Sequence, residues 1–317
     1  MKKITEFLTK YNSYALFCHM EPDGDALGSI YALKLGLQQL GKKCYLFCES
    51  EIPSKLRYLN TVLDKDENIL STCDAFVLMD CNNPHRTGGY ERVFEGAKQK
   101  IAIIDHHQKE HFKASCKYID PKSPSTCDMA FEILKELDVK FTKQICDCLY
   151  AGISSDTGCF VHPSTSIITH EHVAQLMRYG ADIVTANYNL FKHKPNGYIE
   201  FLKYYLSKTR SFLGGQLFVT IVDSKHYNRY KSEFDNSAFD FMQGVEGNEI
   251  QVRITEKQKG NYNISFRSNK YVNVNEIAKE FNGGGHKRAS GGSSKSKPNM
   301  ILKKLLPLCL EHLEHDK

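Results

Sequence analysis

The sequence lacks the features that mark membrane, exported and duplex-binding proteins. None of its apolar runs approaches the roughly 20 residues of a membrane-spanning helix, and its mean hydropathy is −0.43. Residues 1–6 lead into an amphipathic segment instead of a signal-peptide core. The charge excess is small, with 42 Lys+Arg against 37 Asp+Glu and a net charge of +5, which allows an anionic substrate but not a dedicated duplex binder. We therefore expect a cytoplasmic protein without a membrane partner.

Disulfide bonds are also not expected. The 11 cysteines are odd in number and scattered through apolar segments, as Cys44, Cys48 and Cys73 show. In a chain without an export signal this pattern predicts reduced, buried thiols. Cys146 and Cys148 are too close in sequence for a zinc knuckle.

The chain does contain short apolar runs that alternate with helix-compatible segments. At 317 residues, with 41% hydrophobic and 25% charged residues, it is typical of a globular protein of roughly two domains. The first part has four such runs: Tyr14–Cys18, Cys44–Cys48, Ala75–Met79 and Ile101–Ile104. Apolar strands alternating with helices predict a parallel sheet covered on both faces. From about residue 210 the strand patterns of residues 217–222, 250–255 and 261–268 predict a second α/β domain.

Acidic and imidazole side chains follow three of the four apolar runs. His19, Asp23 and Asp25 come after the first, Asp80 after the third, and Asp105-His106-His107 ends the fourth. Ligands bind beyond the carboxyl ends of parallel strands, so these metal-competent groups are expected along one rim. Each also has a structural explanation, since an Asp often caps a helix or closes a turn and the histidines could simply be satisfied within the fold.

Two later segments could belong to the same site. Asp156 lies in a Ser/Thr/Gly turn after the helix-compatible residues 145–153, where it either caps the next turn or faces a metal ion. Residues 283–292 place His286, Lys287 and Arg288 between glycine clusters. Glycines let a backbone approach an anion, and the basic side chains could bind phosphate. The alternative is a flexible Gly/Ser linker.

Together these motifs resemble the DHH/DHHA1 phosphoesterases, and within them the NrnA-like oligoribonuclease and 3′-phosphoadenosine 5′-phosphate phosphatase group. Residues 19–28 resemble the first family motif, Asp80 with Arg86 the second, residues 105–107 the third and residues 156–158 the fourth. Residues 283–290 resemble the DHHA1 signature. The chain departs from the pattern at Glu21 and at Val161-His162, where basic residues are often found.

The resemblance implies a parallel-sheet DHH domain (residues 1–190), a linker (191–209) and a smaller α/β DHHA1 domain (210–317), with the active site in the cleft between them. It also implies two Mn²⁺ ions, with Mg²⁺ or Co²⁺ as alternatives. One ion would be held by His19, Asp23 and Asp80, and the other by Asp25, Asp80, His106 and Asp156. Asp80 would therefore bridge them.

The remaining implied roles concern catalysis and substrate binding. His107 would lie beside the scissile phosphate, Asp105 would orient an imidazole, and Arg86 would add a cationic contact. The implied substrate-binding residues are Arg267, Ser268, Gly284, Gly285, His286 and Arg288.

The activity implied is hydrolysis of very short RNA or DNA oligonucleotides, or of 3′-phosphoadenosine 5′-phosphate, to nucleoside monophosphates. A family II inorganic pyrophosphatase and a non-catalytic nucleotide- or RNA-binding module are the alternatives. The choice among an RNA dinucleotide, 3′-phosphoadenosine 5′-phosphate, pApA and pGpG stays open, as does a homodimer.

Overall fold

The computed structural model describes residues 1–108, 112–230, 239 and 241–316. The chain divides into two compact units, Met1–His193 and Lys194–Lys317, which we call the first and second domains. The boundaries predicted at residues 190 and 210 stay a prediction. Among the helices of the described residues, none combines the length and the apolar composition needed to cross a membrane.

The first domain is built on an entirely parallel sheet, which confirms the predicted fold class. Its strands are β1 (Ser13–Phe17), β2 (Lys43–Phe47), β3 (Ala75–Met79), β4 (Lys100–Asp105) and β5 (Cys116–Ile119). They lie in the order β2-β1-β3-β4-β5. The four predicted apolar runs form β1 to β4, whereas the half-exposed edge strand β5 was not predicted. The strand order reverses direction between β1 and β3, which is where an open sheet of this kind binds its ligands.

Helices cover both faces of this sheet. They are α1 (Lys2–Lys10), α2 (Gly24–Gln39), α3 (Glu91–Glu95), α4 (Thr126–Glu136), α5 (Lys143–Asp156), α6 (Ile167–Arg178) and α7 (Ile183–Asn187). Short 3₁₀ helices span Ser54–Leu59, Glu67–Thr72 and Pro84–Tyr90, and a π-helix spans Tyr188–Lys192. Alternate strand residues point to opposite faces, so Tyr14 and Leu16 join the core beneath α2, α4 and α5. Ala15 and Phe17 join a second, aromatic-rich core.

The second domain contains a mixed sheet. The described elements of this domain are α8 (Tyr198–Ser207), β6 (Thr209–Phe212), a 3₁₀ helix (Leu213–Gly215), β7 (Leu217–Val222), α9 (Ser224–Arg229), β8 (Ile250–Gln258), β9 (Asn261–Ser268), α10 (Val274–Lys279), β10 (Gly284–His286), β11 (Ala289–Ser294) and α11 (Pro298–His315). The strands lie in the order β10-β11-β9-β8-β7-β6. Only β7 and β8 run parallel among these described strands. The predicted α/β character of this domain is confirmed.

Candidate metal centre

Three neighbouring strands deliver the predicted acidic and imidazole groups to one edge of the first sheet. His19 follows β1, Asp80 follows β3 directly, and Asp105 is the last residue of β4. At Asp80 the backbone turns into the left-handed region with a φ of 54°, and its N–H donates to the carbonyl of Ile104 at 3.0 Å. The side chains of these strand ends can therefore meet, although they are far apart in sequence.

Asp80 lies at the centre of the cluster. It is only 1% exposed, and its Oδ2 lies 3.3 Å from Nε2 of His19. Its Oδ1 lies 3.5 Å from Nε2 of His106 and 3.5 Å from Nδ1 of His107. The two oxygens of one buried carboxylate thus face histidines from different strands.

The predicted metal ligands form overlapping groups around Asp80. Ligand atoms lie within 4.8 Å of one another in each of three groups: His19, Asp23 and Asp80; Asp80, His106 and His107; and Asp25, His106 and Asp156. All six residues predicted as metal ligands are therefore brought together, with Asp80 and His106 each belonging to two groups. The first and third groups contain the same residues as the two predicted ion sites, except that Asp80 is not part of the third group.

Close packing of two helices places Asp25 beside Asp156. Asp25 lies in the first turn of α2, and Asp156 is the last residue of α5. A Cβ atom at Gly28 would lie 2.4 Å from the carbonyl oxygen of Cys148, and one at Gly152 would lie 2.7 Å from Oδ1 of Asp25. Only glycine permits this approach, so the spacing of the two carboxylates depends on these positions.

The first turn of α4 holds the carboxylate of Asp25. The backbone N–H of Thr126 donates to Oδ2 of Asp25 at 2.6 Å, and that of Cys127 donates to Oδ1 at 2.7 Å. The first N–H groups of a helix have no partner within the helix and suit an anion. Asp25 is fully buried, and each of its oxygens keeps a second lone pair that could face a cation.

Asp23 combines the structural and the metal-facing interpretations. It is the N-cap of α2, and its Oδ1 accepts the N–H groups of Asp25 and Ala26, each at 3.0 Å. It also lies in the group with His19 and Asp80. Helix capping therefore accounts for one oxygen of Asp23, and its remaining lone pairs stay available for a cation.

The carboxyl groups of Asp25 and Asp156 do not ionise easily in this cluster. Burial and the charges of Asp156 and Asp80 raise the pKa of Asp25 well above its usual range. Burial also raises the pKa of Asp156 to about 6, although the nearby imidazole of His106 opposes this. Burial by itself would lower the pKa of His106, but the carboxylates of Asp156 and Asp80, at 3.1 and 3.5 Å, raise it to about 11. Carboxylates that resist ionisation together are relieved by a nearby cation.

The orientation of the histidines also fits metal binding. Nδ1 of His19 donates to the carbonyl of Met20 at 2.8 Å, and Nδ1 of His106 lies 3.4 Å from the carbonyl of Ser123. In both rings Nε2 points into the carboxylates, and Nε2 of His106 is buried without a well-formed hydrogen bond. A histidine that binds a metal typically donates its other N–H to a carbonyl. A ligand set of carboxylates and imidazoles suits Mn²⁺ or Mg²⁺, whereas a thiolate-rich ligand set is typical of zinc.

Asp105 lies behind the cluster and contacts His107. Its Oδ1 accepts Nδ1–H of His107 at 2.8 Å and the backbone N–H of the same residue at 3.1 Å. The ring of His107 is 38% exposed. The carbonyl of Arg86 accepts the N–H of Met20 at 2.8 Å, which places this predicted catalytic residue beside the His19 loop.

Asp156 and the start of α4 show where sequence analysis was incomplete. Asp156 was expected in a turn, but it lies in the last turn of α5, because this helix continues beyond Ile153 with Thr157 as its C-cap. Sequence analysis did not identify Thr126, which contacts two of the predicted ligands. The signal was present in Ser125-Thr126-Cys127-Asp128, because a Ser followed three residues later by an acid marks a helix start.

The predicted phosphate loop is a hairpin of the second domain. β10 pairs with β11 through Gly284↔Gly291, Gly285↔Ser290 and His286↔Ala289, which leaves Lys287 and Arg288 at the turn. A Cβ atom at Gly285, where φ is 144°, would lie 2.7 Å from the carbonyl of Ala289. Close strand packing therefore requires this glycine.

Other predicted substrate-binding residues lie near this hairpin. Ala289 pairs with Arg267 on β9, and the N–H of Ser268 donates to the carbonyl of Arg288 at 3.1 Å. The buried hydroxyl of Ser268 donates to the carbonyl of Val272 at 2.8 Å. Nη1 of Arg288 lies 3.8 Å from Oε1 of Glu249. The structure groups these residues at one end of the second sheet, and their binding role stays a prediction.

Comparison with known proteins agrees with the order of the two domains. Residues 13–153 match the DHH family, N-terminal domain, and residues 226–311 match the DHHA1 domain. The chain is 26% identical over 296 residues to the bifunctional oligoribonuclease and PAP phosphatase NrnA of Mycoplasma pneumoniae, covering 92% of this chain and 90% of that protein. It is 28% identical over 318 residues to the Bacillus subtilis protein of the same name, covering 96% and 97%.

The fold is also similar to that of a solved structure. An exopolyphosphatase-related protein from Bacteroides fragilis superimposes with a TM-score of 0.85 at 20% sequence identity, covering 96% of this chain and 94% of that one. This likeness concerns the fold alone.

Proposed function

Because the chain belongs to the DHH/DHHA1 family, we propose that it is a metal-dependent phosphoesterase that hydrolyses very short oligonucleotides, 3′-phosphoadenosine 5′-phosphate, or both, to nucleoside monophosphates. The observation that carries this proposal is the convergence of six acidic and imidazole side chains on a sheet edge where ligands bind. The names of the relatives from Mycoplasma pneumoniae and Bacillus subtilis supply the substrate class.

The overlapping groups suit two divalent cations, with Mn²⁺ as the proposed metal and Mg²⁺ or Co²⁺ as alternatives. His19, Asp23 and Asp80 would hold one cation, and Asp25, Asp80, His106 and Asp156 the other. Two such cations would lower the pKa of a water molecule and polarise the phosphoryl group. The separate directions of the two Asp80 oxygens support its role as the bridging ligand.

The residues around the cluster would position the phosphate. Since Nδ1–H of His107 donates to Asp105, its Nε2 is left to contact the substrate, and it would donate to a phosphate oxygen from the doubly protonated ring. The buried carboxylate of Asp105 fixes the direction of this ring, which supports a positioning role for Asp105. Charge that develops on the phosphate in the transition state would be stabilised by His107 and by Arg86.

In the second domain, we propose that Arg267, His286 and Arg288 bind another phosphate of the substrate. A cation-lined surface there would favour short substrates, because the distance from the bound phosphate to the reacting one is fixed. The cleft between the domains, the homodimer and the cytoplasmic location all stay predictions.

The decisive experiment measures hydrolysis by the purified protein with Mn²⁺ on a substrate panel. RNA dinucleotides, pApA, pGpG, longer RNA, 3′-phosphoadenosine 5′-phosphate and pyrophosphate are compared at equal concentration, with a chelator as the control. We expect the dinucleotides or 3′-phosphoadenosine 5′-phosphate to be cleaved fastest and chelation to abolish all turnover.

Two results would contradict the proposal in different ways. Faster turnover of pyrophosphate than of any nucleotide would indicate a pyrophosphatase. Nucleotide binding without turnover, whichever divalent metal is added, would indicate a binding module. Loss of all hydrolysis on chelation, with nucleotide binding retained, would favour catalysis over the binding module.

A further inference from the structure

Thr126 connects two of the predicted metal ligands. It is the first residue of α4 and is fully buried. Its backbone N–H donates to Oδ2 of Asp25 at 2.6 Å, and its hydroxyl donates to Oδ1 of Asp80 at 3.3 Å. One residue thus contacts carboxylates that belong to different groups of the cluster.

We propose that Thr126 is a positioning residue that fixes the rotation of the Asp80 carboxylate, so that one oxygen faces each metal group. This inference rests on the proposed two-metal function. The terminal torsion of an aspartate has a broad energy minimum, so the direction of its oxygens depends on the hydrogen-bond partners. The hydroxyl of Thr126 contacts Oδ1, the oxygen on the side of His106, and Oδ2 is left facing His19.

The hydroxyl matters most when the cations are bound. His19 and His106 contact Asp80 through Nε2 in the structure, but a nitrogen that binds a cation has no proton left to donate. The hydroxyl of Thr126 can still donate to Asp80 in that state. Partners of this kind typically change metal affinity by about 10- to 100-fold when they are removed.

The hydroxyl of Thr126 is not required to cap α4. The N-cap of α4 is Ser125, whose Oγ accepts the N–H of Asp128 at 3.0 Å, so Thr126 does not cap the helix. The N–H bond from Thr126 to Asp25 would form with almost any residue at this position. The contact with Asp80 is therefore the part that requires a hydroxyl-bearing side chain.

The test compares Mn²⁺ binding by the metal-free protein and its variants, measured without substrate from the electron paramagnetic resonance signal of free Mn²⁺. Thr126→Val keeps the shape of the side chain and removes the hydroxyl, and we expect at least about tenfold weaker binding. Thr126→Ser restores the hydroxyl and should bind within about threefold of the unchanged protein.

Thr5→Val is the matched control. Thr5 is also buried in the first domain, but its hydroxyl donates to the carbonyl of Lys2 within α1. Thermal unfolding checks that each variant is folded, and Thr126→Ala repeats the test if the valine variant is not. We expect Thr5→Val to bind Mn²⁺ as the unchanged protein does.

The outcomes separate this inference from the proposed function. Unchanged Mn²⁺ affinity in Thr126→Val, or equal weakening in Thr126→Ser, would overturn the role of Thr126. A protein that binds Mn²⁺ with this dependence on Thr126 but hydrolyses no phosphoester would refute the proposed activity and leave the role of Thr126 standing. Absence of any Mn²⁺ binding by the unchanged protein would refute both the role of Thr126 in Mn²⁺ binding and the choice of Mn²⁺ as the metal.

Discussion

Replacing Asp156 with Asn should make the metal-free protein more stable while weakening the proposed metal site. The side chain of Asp156 is 19% exposed and lies 3.1 Å from His106, and its pKa is raised from 3.8 to about 6. Below about pH 4 the carboxyl is protonated in both the folded and the unfolded state. As the pH rises towards 6 the unfolded chain loses this proton first, so the folded state loses stability.

The pKa difference sets the size of the effect. It corresponds to roughly two pH units at about 1.4 kcal/mol each, and so to a penalty of about 3 kcal/mol at pH 8. Asn has no charge, and its amide oxygen can still face Nε2 of His106 as the carboxylate oxygen does. We therefore expect Asp156→Asn to raise the free energy of unfolding by about 1–3 kcal/mol at pH 8 and by about half as much at pH 5.

Thermal unfolding in the presence of a chelator measures this difference. Each kcal/mol should shift the melting temperature by about 2–4 °C for a domain of this size. Mn²⁺ at 100 times its dissociation constant should stabilise the unchanged protein by about 2.7 kcal/mol, and the variant by less. Glu171→Gln is the control, because it removes the same single negative charge at an exposed position of α6. It should have little effect on the melting temperature. A metal-free variant less stable than the unchanged protein at pH 8, or a gain that does not depend on pH, would refute this reasoning.

Three further changes test other parts of the structure. Asp80→Asn should lower kcat on a dinucleotide by more than about 100-fold, and near-normal turnover in Mn²⁺ would contradict the bridging role. Arg288→Ala should raise KM about tenfold with little change in kcat, so a loss confined to kcat would disprove a role in binding. His172 lies 2.9 Å from Asp128 and 2.8 Å from Glu132. Burial by itself would lower the pKa of His172, but the hydrogen bond with Asp128 raises it above its usual value. Its protonated form therefore stabilises the fold below about pH 6.5, and this contribution is lost as the pH rises through the raised pKa. His172→Gln should cost roughly 1.5–3 kcal/mol at pH 6 and less at pH 9, and chemical denaturation that shows equal losses would rule this out.

The strands and the convergence of the acidic and imidazole residues could be predicted because the two share a local signal. Apolar runs such as Ala75–Met79 end on a charged residue, and in a parallel sheet all carboxyl ends lie at one edge. β5 gave no such signal, because it is a short edge strand whose residues are largely half-exposed. Its sequence does not differ clearly from that of a loop.

Contacts between distant residues could not be predicted from local patterns. The carboxylate of Asp25 accepts N–H groups from α4, about a hundred residues further along the chain, and only the folded helix directs those groups. The hairpin at Gly284 and Gly285 could not be predicted for a similar reason. Its glycine content matches a phosphate loop, a linker or closely paired strands equally well, and strand pairing is a property of the second sheet as a whole.

The glycines between α2 and α5 have a consequence for how the proposed metal centre can change in evolution. A single methyl group added at Gly152 would lie too close to Oδ1 of Asp25 and would displace this carboxylate. A residue without an ionisable group thus controls the position of a charged one. Substitutions by uncharged residues at the crossing of these helices can therefore weaken or abolish the activity while every charged residue is retained. A comparison of the proposed ligand residues alone would not detect such a change, whereas a comparison of the backbone geometry would.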